Sequence, residues 1–112
     1  MGLAYIYANQ KGCDGERTYY DGSSMIALNG DILALGSQFS LDEIEPVIAV
    51  FDLEDIRLAR AKTQSIGAQS SAAPSYKRIQ IDFNLSVNSA KSSHVPSISL
   101  NPKFHSVEEE IS

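Results

Sequence analysis

The residues most suggestive of chemistry lie in a glycine-bearing run that follows the apolar stretch of residues 3–8. Cys13, the only cysteine, stands between Lys11 and Arg17. Their positive charges favour the thiolate form that a nucleophile needs. Asp14 and Glu16 oppose that effect. The charges around Cys13 therefore do not by themselves indicate a reactive thiol.

A catalytic thiol also requires a positioned base. The two histidines, His94 and His105, both lie in the polar C-terminal stretch, which is a poor place to hold a base rigidly. A Cys-His pair stays open as an alternative, but a small residue in a tight loop is the simpler interpretation of Cys13. The sequence predicts no catalytic residue in this chain.

Metal and phosphate sites are not indicated either. One cysteine and two isolated histidines lack the paired spacing of a zinc motif. Asp14, Glu16 and Asp21 are spaced loosely like calcium ligands, but the repeating pattern and terminal glutamate of an EF-hand loop are missing. The run 12–15 also lacks the Lys-Ser/Thr ending of a phosphate-binding P-loop. The sequence predicts no metal ligand and no cofactor on this chain.

The bulk composition excludes several classes of protein. A chain of 112 residues can form one small domain or part of a larger one. A formal net charge of -5 argues against a general nucleic-acid binder, which needs a basic face. No apolar run is long enough for a membrane helix. One cysteine excludes an internal disulfide and fits a reducing compartment. These features predict a soluble, cytoplasmic protein that binds neither nucleic acid nor membranes.

The N-terminal half predicts strands that would position the glycine-bearing run. Residues 3–8 are apolar and rich in aromatic side chains, which favours a largely buried strand. Residues 25–28 and 32–35 flank Asn29-Gly30, the strongest short signal for a β-hairpin. Ser40 and Glu43 form a capping-box pattern, but Pro46 stops any helix after about one turn.

The second half predicts one helix and two more strands. Residues 47–51 are β-branched and apolar, which indicates a buried strand. Asp52 is a suitable cap for a helix over residues 53–63, and residues 64–75 have the composition of an exposed loop. Alternating apolar positions predict a half-buried strand: Ile79, Ile81, Phe83 and Leu85.

These elements do not add up to a complete domain. The strands at 3–8 and 47–51 read as buried on both faces, which requires a layer packed on each side of the sheet. One helix cannot cover a sheet twice. We therefore expect further layers from outside this chain.

The run Ala8-Asn9-Gln10-Lys11-Gly12-Cys13-Asp14-Gly15, with Tyr20-Asp21-Gly22, resembles eukaryotic-type glutamine-dependent NAD⁺ synthetases, in the later part of their nitrilase-superfamily glutaminase domain. The similarity continues through residues 26–30, 36–40, 52–57, 76–83 and 105–112 in the same order. The form Asn-Gln-Lys-Gly-Cys-Asp-Gly and the ending Glu-Glu-Glu-Ile-Ser are the most specific parts.

The resemblance implies an α/β fold, a partial nitrilase-type α-β-β-α sandwich with about five strands and one main helix. Residues 1–87 would be the C-terminal part of the glutaminase (carbon-nitrogen hydrolase) domain, and the missing layers would lie before Met1. Residues 88–112 would be a linker towards an absent synthetase domain. Met1-Gly2 stands where the family continues upstream, so a partial gene model, an isoform or a truncated copy is implied.

The resemblance also implies the reaction of the complete enzyme. That ligase would convert deamido-NAD⁺ to NAD⁺ with ATP, Mg²⁺ and ammonia from glutamine, and would form a homo-oligomer. The family's Glu-Lys-Cys triad lies upstream of this stretch and its ATP site downstream, so the chain alone is expected to be inactive and to hold no cofactor.

Asn9 and Gln10 are the two site residues that the resemblance suggests, at a strand edge near the glutamine pocket or its supporting shell. Two alternatives stay open. The chain would then be a piece of a stand-alone nitrilase-type amidase, or a non-catalytic module that pairs with a full-length synthetase through exposed sheet edges.

Overall fold

The computed structural model describes residues 2–83 and 95–111, and within them the fold is α/β with five strands in two antiparallel sheets. The larger sheet has the order β1-β4-β5, and the smaller one pairs β2 with β3. The strands are β1 (Ala4–Tyr7), β2 (Lys11–Cys13), β3 (Tyr19–Asp21), β4 (Met25–Leu28) and β5 (Asp31–Leu35). The helices are α1 (Leu53–Ala61), α2 (Gln64–Ala72) and α3 (Val107–Ile111).

The predicted hairpin around Asn29-Gly30 is confirmed as β4 and β5. Asn29 has φ 54° and Gly30 has φ 107°, so both turn residues adopt the positive φ that a type I′ turn requires. The backbone N–H of Asn29 also donates to the carbonyl of Leu3 at 3.0 Å. The turn therefore fixes the start of β1, the strand predicted over residues 3–8, against the hairpin.

The glycine-bearing run forms a second, smaller hairpin that the sequence did not predict. Lys11 lies opposite Asp21 and Cys13 opposite Tyr19 in the β2–β3 pair. The Asp14 carboxylate accepts the backbone N–H groups of Glu16 at 2.9 Å and Thr18 at 3.3 Å, which closes the connection. Such local bonds from Asp let a short polar loop turn without an apolar pattern. Hydrophobic periodicity therefore gave no signal for these strands.

Helix α1 confirms the predicted helix after Asp52. The Asp52 carboxylate accepts the backbone N–H of Glu54 at 2.9 Å, as an N-cap does. The predicted loop over residues 64–75 is wrong, because α2 occupies most of it. Its glutamines and alanines are good helix formers, and this local preference acts in a segment whose residues are all exposed.

The strand predicted over residues 47–51 is wrong. No strand forms there, and the backbone of Val50 is bonded only to Ser97: its N–H donates to the Ser97 hydroxyl and its carbonyl accepts the Ser97 N–H. Apolar β-branched residues form a strand only when a neighbouring strand supplies partners along its length. Within the described ranges, this segment finds a partner at one residue.

Two further expectations fail, one over residues 76–83 and one at Ser40. Residues 76–83 form no strand, and Ile79, Ile81 and Phe83 are exposed, while Leu85 lies outside the described residues. At Ser40 the hydroxyl accepts the N–H of Asp42 at 3.2 Å, which makes a local turn and not a helical turn.

The capping-box pattern that does start a helix is at the C-terminal end of the chain. Ser106 and Glu109 exchange hydrogen bonds, with the N–H of Ser106 to the Glu109 carboxylate at 2.8 Å and the N–H of Glu109 to the Ser106 hydroxyl at 3.3 Å. The backbone and side-chain bonds from Ser106 hold the pKa of the Glu109 carboxyl below its usual range. This reciprocal cap explains how α3 forms in so short a run.

The apolar core is small. Among the described residues, Leu28 is the only buried apolar side chain. Strand β1 was expected to be largely buried, but Tyr5 is 53% exposed and Ile6 is 72% exposed. β1 is an edge strand of the larger sheet, so it pairs with a neighbouring strand, β4, on one side only. The apolar sequence of β1 is thus typical of a strand that is more buried than β1 is in this structure.

Candidate functional site

Asn9, which follows β1, is the centre of a hydrogen-bond network at the end of the larger sheet. Its side-chain N–H group donates to the Asp21 carboxylate at 3.0 Å and to the Gly22 carbonyl at 2.7 Å. Its backbone N–H donates to the Ser24 hydroxyl at 3.0 Å. Its side-chain oxygen accepts the backbone N–H of Gln10 at 2.9 Å. We call Asn9, Asp21, Gly22, Ser23 and Ser24 the Asn9 network.

The network depends on an unusual backbone at Gly22 and Ser23. Gly22 has φ 84° and Ser23 has φ 55°. A side chain at position 22 would meet the Ser37 carbonyl at 3.2 Å, so the position suits glycine. Ser23 is buried, and its hydroxyl donates to the second oxygen of the Asp21 carboxylate at 3.1 Å. The Asp21 carboxylate therefore has partners on both oxygens.

A cleft of about 240 Å³ opens beside Asn9 and contains charged groups of both signs. Lys11 lines the cleft, and its side-chain ammonium donates to the backbone carbonyl of Asp42. Glu45 accepts the backbone N–H of Ser37 at 2.9 Å and the Ser37 hydroxyl at 2.8 Å. The bonds from Ser37, followed by the charge of Lys11, hold the pKa of the Glu45 carboxyl below its usual range. Glu43 and Val47 also line this cleft.

The structure treats the two predicted site residues differently. Asn9 is half-buried and lines the cleft, with its side-chain amide committed to the network. Gln10 is exposed; its backbone carbonyl accepts the N–H of Gly22 at 3.1 Å. Within the described residues, no hydrogen bond involves the Gln10 side chain. Asn9 thus connects the end of β1 to Asp21 and Gly22 at the end of β3.

Cys13 is exposed and free, and the backbone N–H of Gly15 donates to its sulfur at 3.4 Å. His105 lies elsewhere: its backbone N–H donates to the Gln38 side-chain oxygen at 2.9 Å, and its ring stands 4.0 Å from the Glu109 carboxylate. His94 is outside the described residues. The structure therefore shows no histidine bonded to Cys13 in the part of the chain it describes.

The connection over residues 12–18 does not fit a phosphate-binding loop. A phosphate-binding loop needs free backbone N–H groups, but in the 12–18 connection those of Glu16 and Thr18 are bonded to the Asp14 carboxylate. These bonds, from Glu16 first, also hold the pKa of the Asp14 carboxyl below its usual range. Over residues 2–83 and 95–111, no three His, Cys, Asp or Glu side chains come together to hold a metal ion.

Sequence reasoning missed most of the residues that complete the site. Asp21, Ser23, Ser24 and Glu45 were not singled out for binding, although Asp21 had been weighed as a metal ligand. The run Tyr-Asp-Gly-Ser-Ser did carry a signal for a turn. Asp and Ser side chains next to a glycine are typical of turns in which side chains form hydrogen bonds with the backbone. Their partner, Asn9, lies twelve or more positions away, which no local pattern reveals.

A search of the described helices for a membrane span found none that is both long and apolar enough. No family model matches the chain. Several curated proteins do match. The glutamine-dependent NAD(+) synthetase of Homo sapiens is 50% identical over 111 residues, which is 99% of this chain and 16% of the human protein.

Two other relatives lie outside the vertebrates. The glutamine-dependent NAD(+) synthetase of Saccharomyces cerevisiae is 49% identical over 98% of this chain and 16% of its own length. That of Drosophila melanogaster is 45% identical over 98% of this chain and 14% of its own length. The chain is homologous to one segment of these eukaryotic synthetases, which confirms the resemblance, and it spans about one sixth of their length.

Proposed function

We propose that this chain is the C-terminal part of the glutaminase domain of a glutamine-dependent NAD⁺ synthetase. In the complete enzyme, glutamine hydrolysis supplies ammonia, and ATP with Mg²⁺ drives the amidation of deamido-NAD⁺. The catalytic groups for both half-reactions come from the rest of that enzyme. The chain alone is inactive and contributes structure beside the glutamine site.

The single observation that carries this proposal is identity near 50% along almost the entire chain with synthetases from mammals and yeast. The match to the human protein covers 99% of the chain, so it extends over the residues of the Asn9 network and of the hairpin that supports it. A stand-alone nitrilase-type amidase is less well supported, because the relatives above are named as synthetases.

The proposed role of this segment is to support the glutamine site. Asn9 ties the end of β1 to Asp21 and Gly22, and this leaves a charged cleft at the same end of the sheet. A fixed wall of this kind holds a substrate in a productive geometry without reacting with it. Gln10, beside Asn9, has an exposed amide that is free to meet a ligand in the complete enzyme.

The complete enzyme is proposed to be a cytoplasmic homo-oligomer. The free, exposed thiol of Cys13 fits a reducing compartment, where such thiols persist. The homo-oligomer is carried over from the family resemblance. Size-exclusion chromatography with light scattering on the complete enzyme tests it, and a monomer would reject it.

The test of the function uses a complete synthetase that carries this segment. NAD⁺ formation is measured from deamido-NAD⁺, ATP and Mg²⁺, with either glutamine or ammonium as the nitrogen source. We expect both sources to support turnover. The variant Cys13→Ser should retain both rates, because no histidine is bonded to this thiol over residues 2–83 and 95–111. No NAD⁺ from either source would reject the proposal, and loss of the glutamine-dependent rate alone in Cys13→Ser would assign the thiol a catalytic role.

A second candidate is a non-catalytic module that pairs with a full-length synthetase. The observation that favours it is the free edge of β1, where Tyr5 and Ile6 are exposed. A tagged copy of this chain should then co-purify with the intact synthetase, and Ile6→Lys should abolish that association. No co-purification of the unmodified chain would exclude this candidate.

A further inference from the structure

The C-terminal segment crosses the body of the fold. Its described part, residues 95–111, bonds to the rest of the chain near Val50, Ile32 and Gln38. Ser97 bonds to the backbone of Val50, and the N–H of Leu100 donates to the Ile32 carbonyl at 2.7 Å. The third bond runs from the N–H of His105 to the side-chain oxygen of Gln38 at 2.9 Å. This last bond reaches a residue that pairs with the Asn9 network.

Gln38 connects the C-terminal segment to the Asn9 network because its side chain and its backbone have different partners. The side chain holds His105, while the backbone forms an antiparallel bridge with Gly22. The next residue, Phe39, donates its backbone N–H to the Asp21 carbonyl at 2.7 Å. Gly22 and Asp21 are the two residues that accept bonds from the side-chain N–H group of Asn9. The path from His105 to Asn9 therefore passes through only two intervening residues.

The turn at Gln38 and Phe39 has an unfavourable backbone. Phe39 has φ 51°, in a region that bulky side chains avoid. Its ring packs against Tyr19, with centroids 5.8 Å apart. Such a conformation persists only where the surroundings hold it. The bond from His105 to Gln38 is one of the contacts that hold this turn.

We propose that Gln38 is a positioning residue that transmits the placement of the C-terminal segment to the Asn9 network. Release of His105 relaxes the turn, and relaxation of the turn weakens the bonds that Asp21 and Gly22 make with Asn9. The inference rests on the proposed function in two respects: the assignment of a synthetase domain beyond this segment, and the placement of the Asn9 network beside the glutamine site.

The test is hydrogen exchange with mass spectrometry on a complete synthetase that carries this segment. Gln38→Met keeps the length of the side chain and removes its oxygen. Exchange should become about two- to tenfold faster in peptides covering residues 19–24 and 36–40, the change expected for loss of one hydrogen bond. Gln38→Glu keeps an acceptor for the His105 N–H and should restore the unmodified rates.

Ser97→Ala is the matched control, because it removes a bond between the same segment and another part of the body. It should accelerate exchange near Val50 and leave residues 19–24 and 36–40 unchanged. A second readout is turnover: Gln38→Met should lower kcat/KM for glutamine and leave the ammonium-dependent rate within twofold. Unchanged exchange at 19–24 in Gln38→Met, or equal effects from Ser97→Ala, would overturn the inference. An unmodified enzyme without synthetase activity would instead reject the proposed function and leave the exchange result valid.

Discussion

At the scale of single residues, the amide of Asn9 is committed to other parts of the chain. Its donors are taken up by the Asp21 carboxylate and the Gly22 carbonyl. We predict that Asn9→Ala, in the complete enzyme, lowers glutamine-dependent NAD⁺ formation more than ammonium-dependent formation. Loss of these bonds weakens the local structure by about 1–3 kcal/mol, because the Asp21 carboxylate and the Gly22 carbonyl lose a donor. Initial rates with the two nitrogen sources measure the effect.

Gln10→Ala is the neighbouring control for that comparison. Its side chain is exposed and makes no bond within the described residues, so the fold should tolerate the change. If Gln10 meets glutamine, KM for glutamine rises while stability stays the same. Equal losses with glutamine and ammonium in Asn9→Ala would contradict the placement of this network beside the glutamine site.

Glu45 gives a prediction about pH. Bonds from Ser37 lower the pKa of Glu45 from its ordinary value of 4.5. A carboxyl with a lowered folded-state pKa stabilises the fold above its unfolded pKa, and that contribution disappears as pH falls through the folded value. Glu45→Gln should therefore speed exchange of the Ser37 amide at pH 7 and have little effect well below pH 4.5. Hydrogen exchange, corrected for its intrinsic pH dependence, tests this, and a difference that grew on acidification would contradict it.

At the scale of elements, the sequence correctly predicted those elements whose formation depends on residues close together in the chain. The Asn29-Gly30 hairpin and the helix after Asp52 need only turn and cap residues close in sequence, and both form. Residues 47–51 were read as a strand from their apolar character, but strand formation depends on a distant partner. The Asn9 network was missed for the same reason, since bonds across twelve or more positions leave no periodic signal. The β2–β3 pair joins residues six to ten positions apart and was missed because its polar residues have no apolar pattern.

Two glycines give a matched test of local backbone preference. Gly30 has φ 107° in the hairpin turn, whereas Gly67 lies inside α2, and neither site has an atom that a new methyl group would meet. Gly30→Ala should destabilise its hairpin by about 1–2 kcal/mol, because alanine is strained at positive φ. Gly67→Ala should stabilise α2 by about 0.5–1 kcal/mol. Hydrogen exchange of peptides that cover each element, measured in the complete enzyme, reports the two changes in stability. If both substitutions stabilised or both destabilised their element, the result would contradict this prediction.

At the scale of the whole molecule, the chain has more apolar surface than it covers. The register places Tyr5 beside Ala27 and Tyr7 beside Met25, so an apolar face continues across the sheet. Tyr5 and Tyr7 stack on each other with ring centroids 6.3 Å apart, yet both stay exposed. Surfaces of this kind are typical of interfaces with further structure. In the proposed enzyme, the other layers of the glutaminase domain cover this face.

The isolated chain should therefore behave as an incompletely packed protein. With Leu28 as the only buried apolar side chain among the described residues, burial is too small to offset the loss of chain entropy. We expect weak near-ultraviolet circular dichroism, binding of the dye ANS and a broad thermal transition in calorimetry. Ile6→Lys, which places a charge on the exposed edge of β1, should raise solubility without sharpening the transition, because a charge blocks edge pairing and adds no core. A sharp, cooperative melt of the unmodified chain would show that these sheets are stable without covering layers, and the need for the rest of the domain would then be lost.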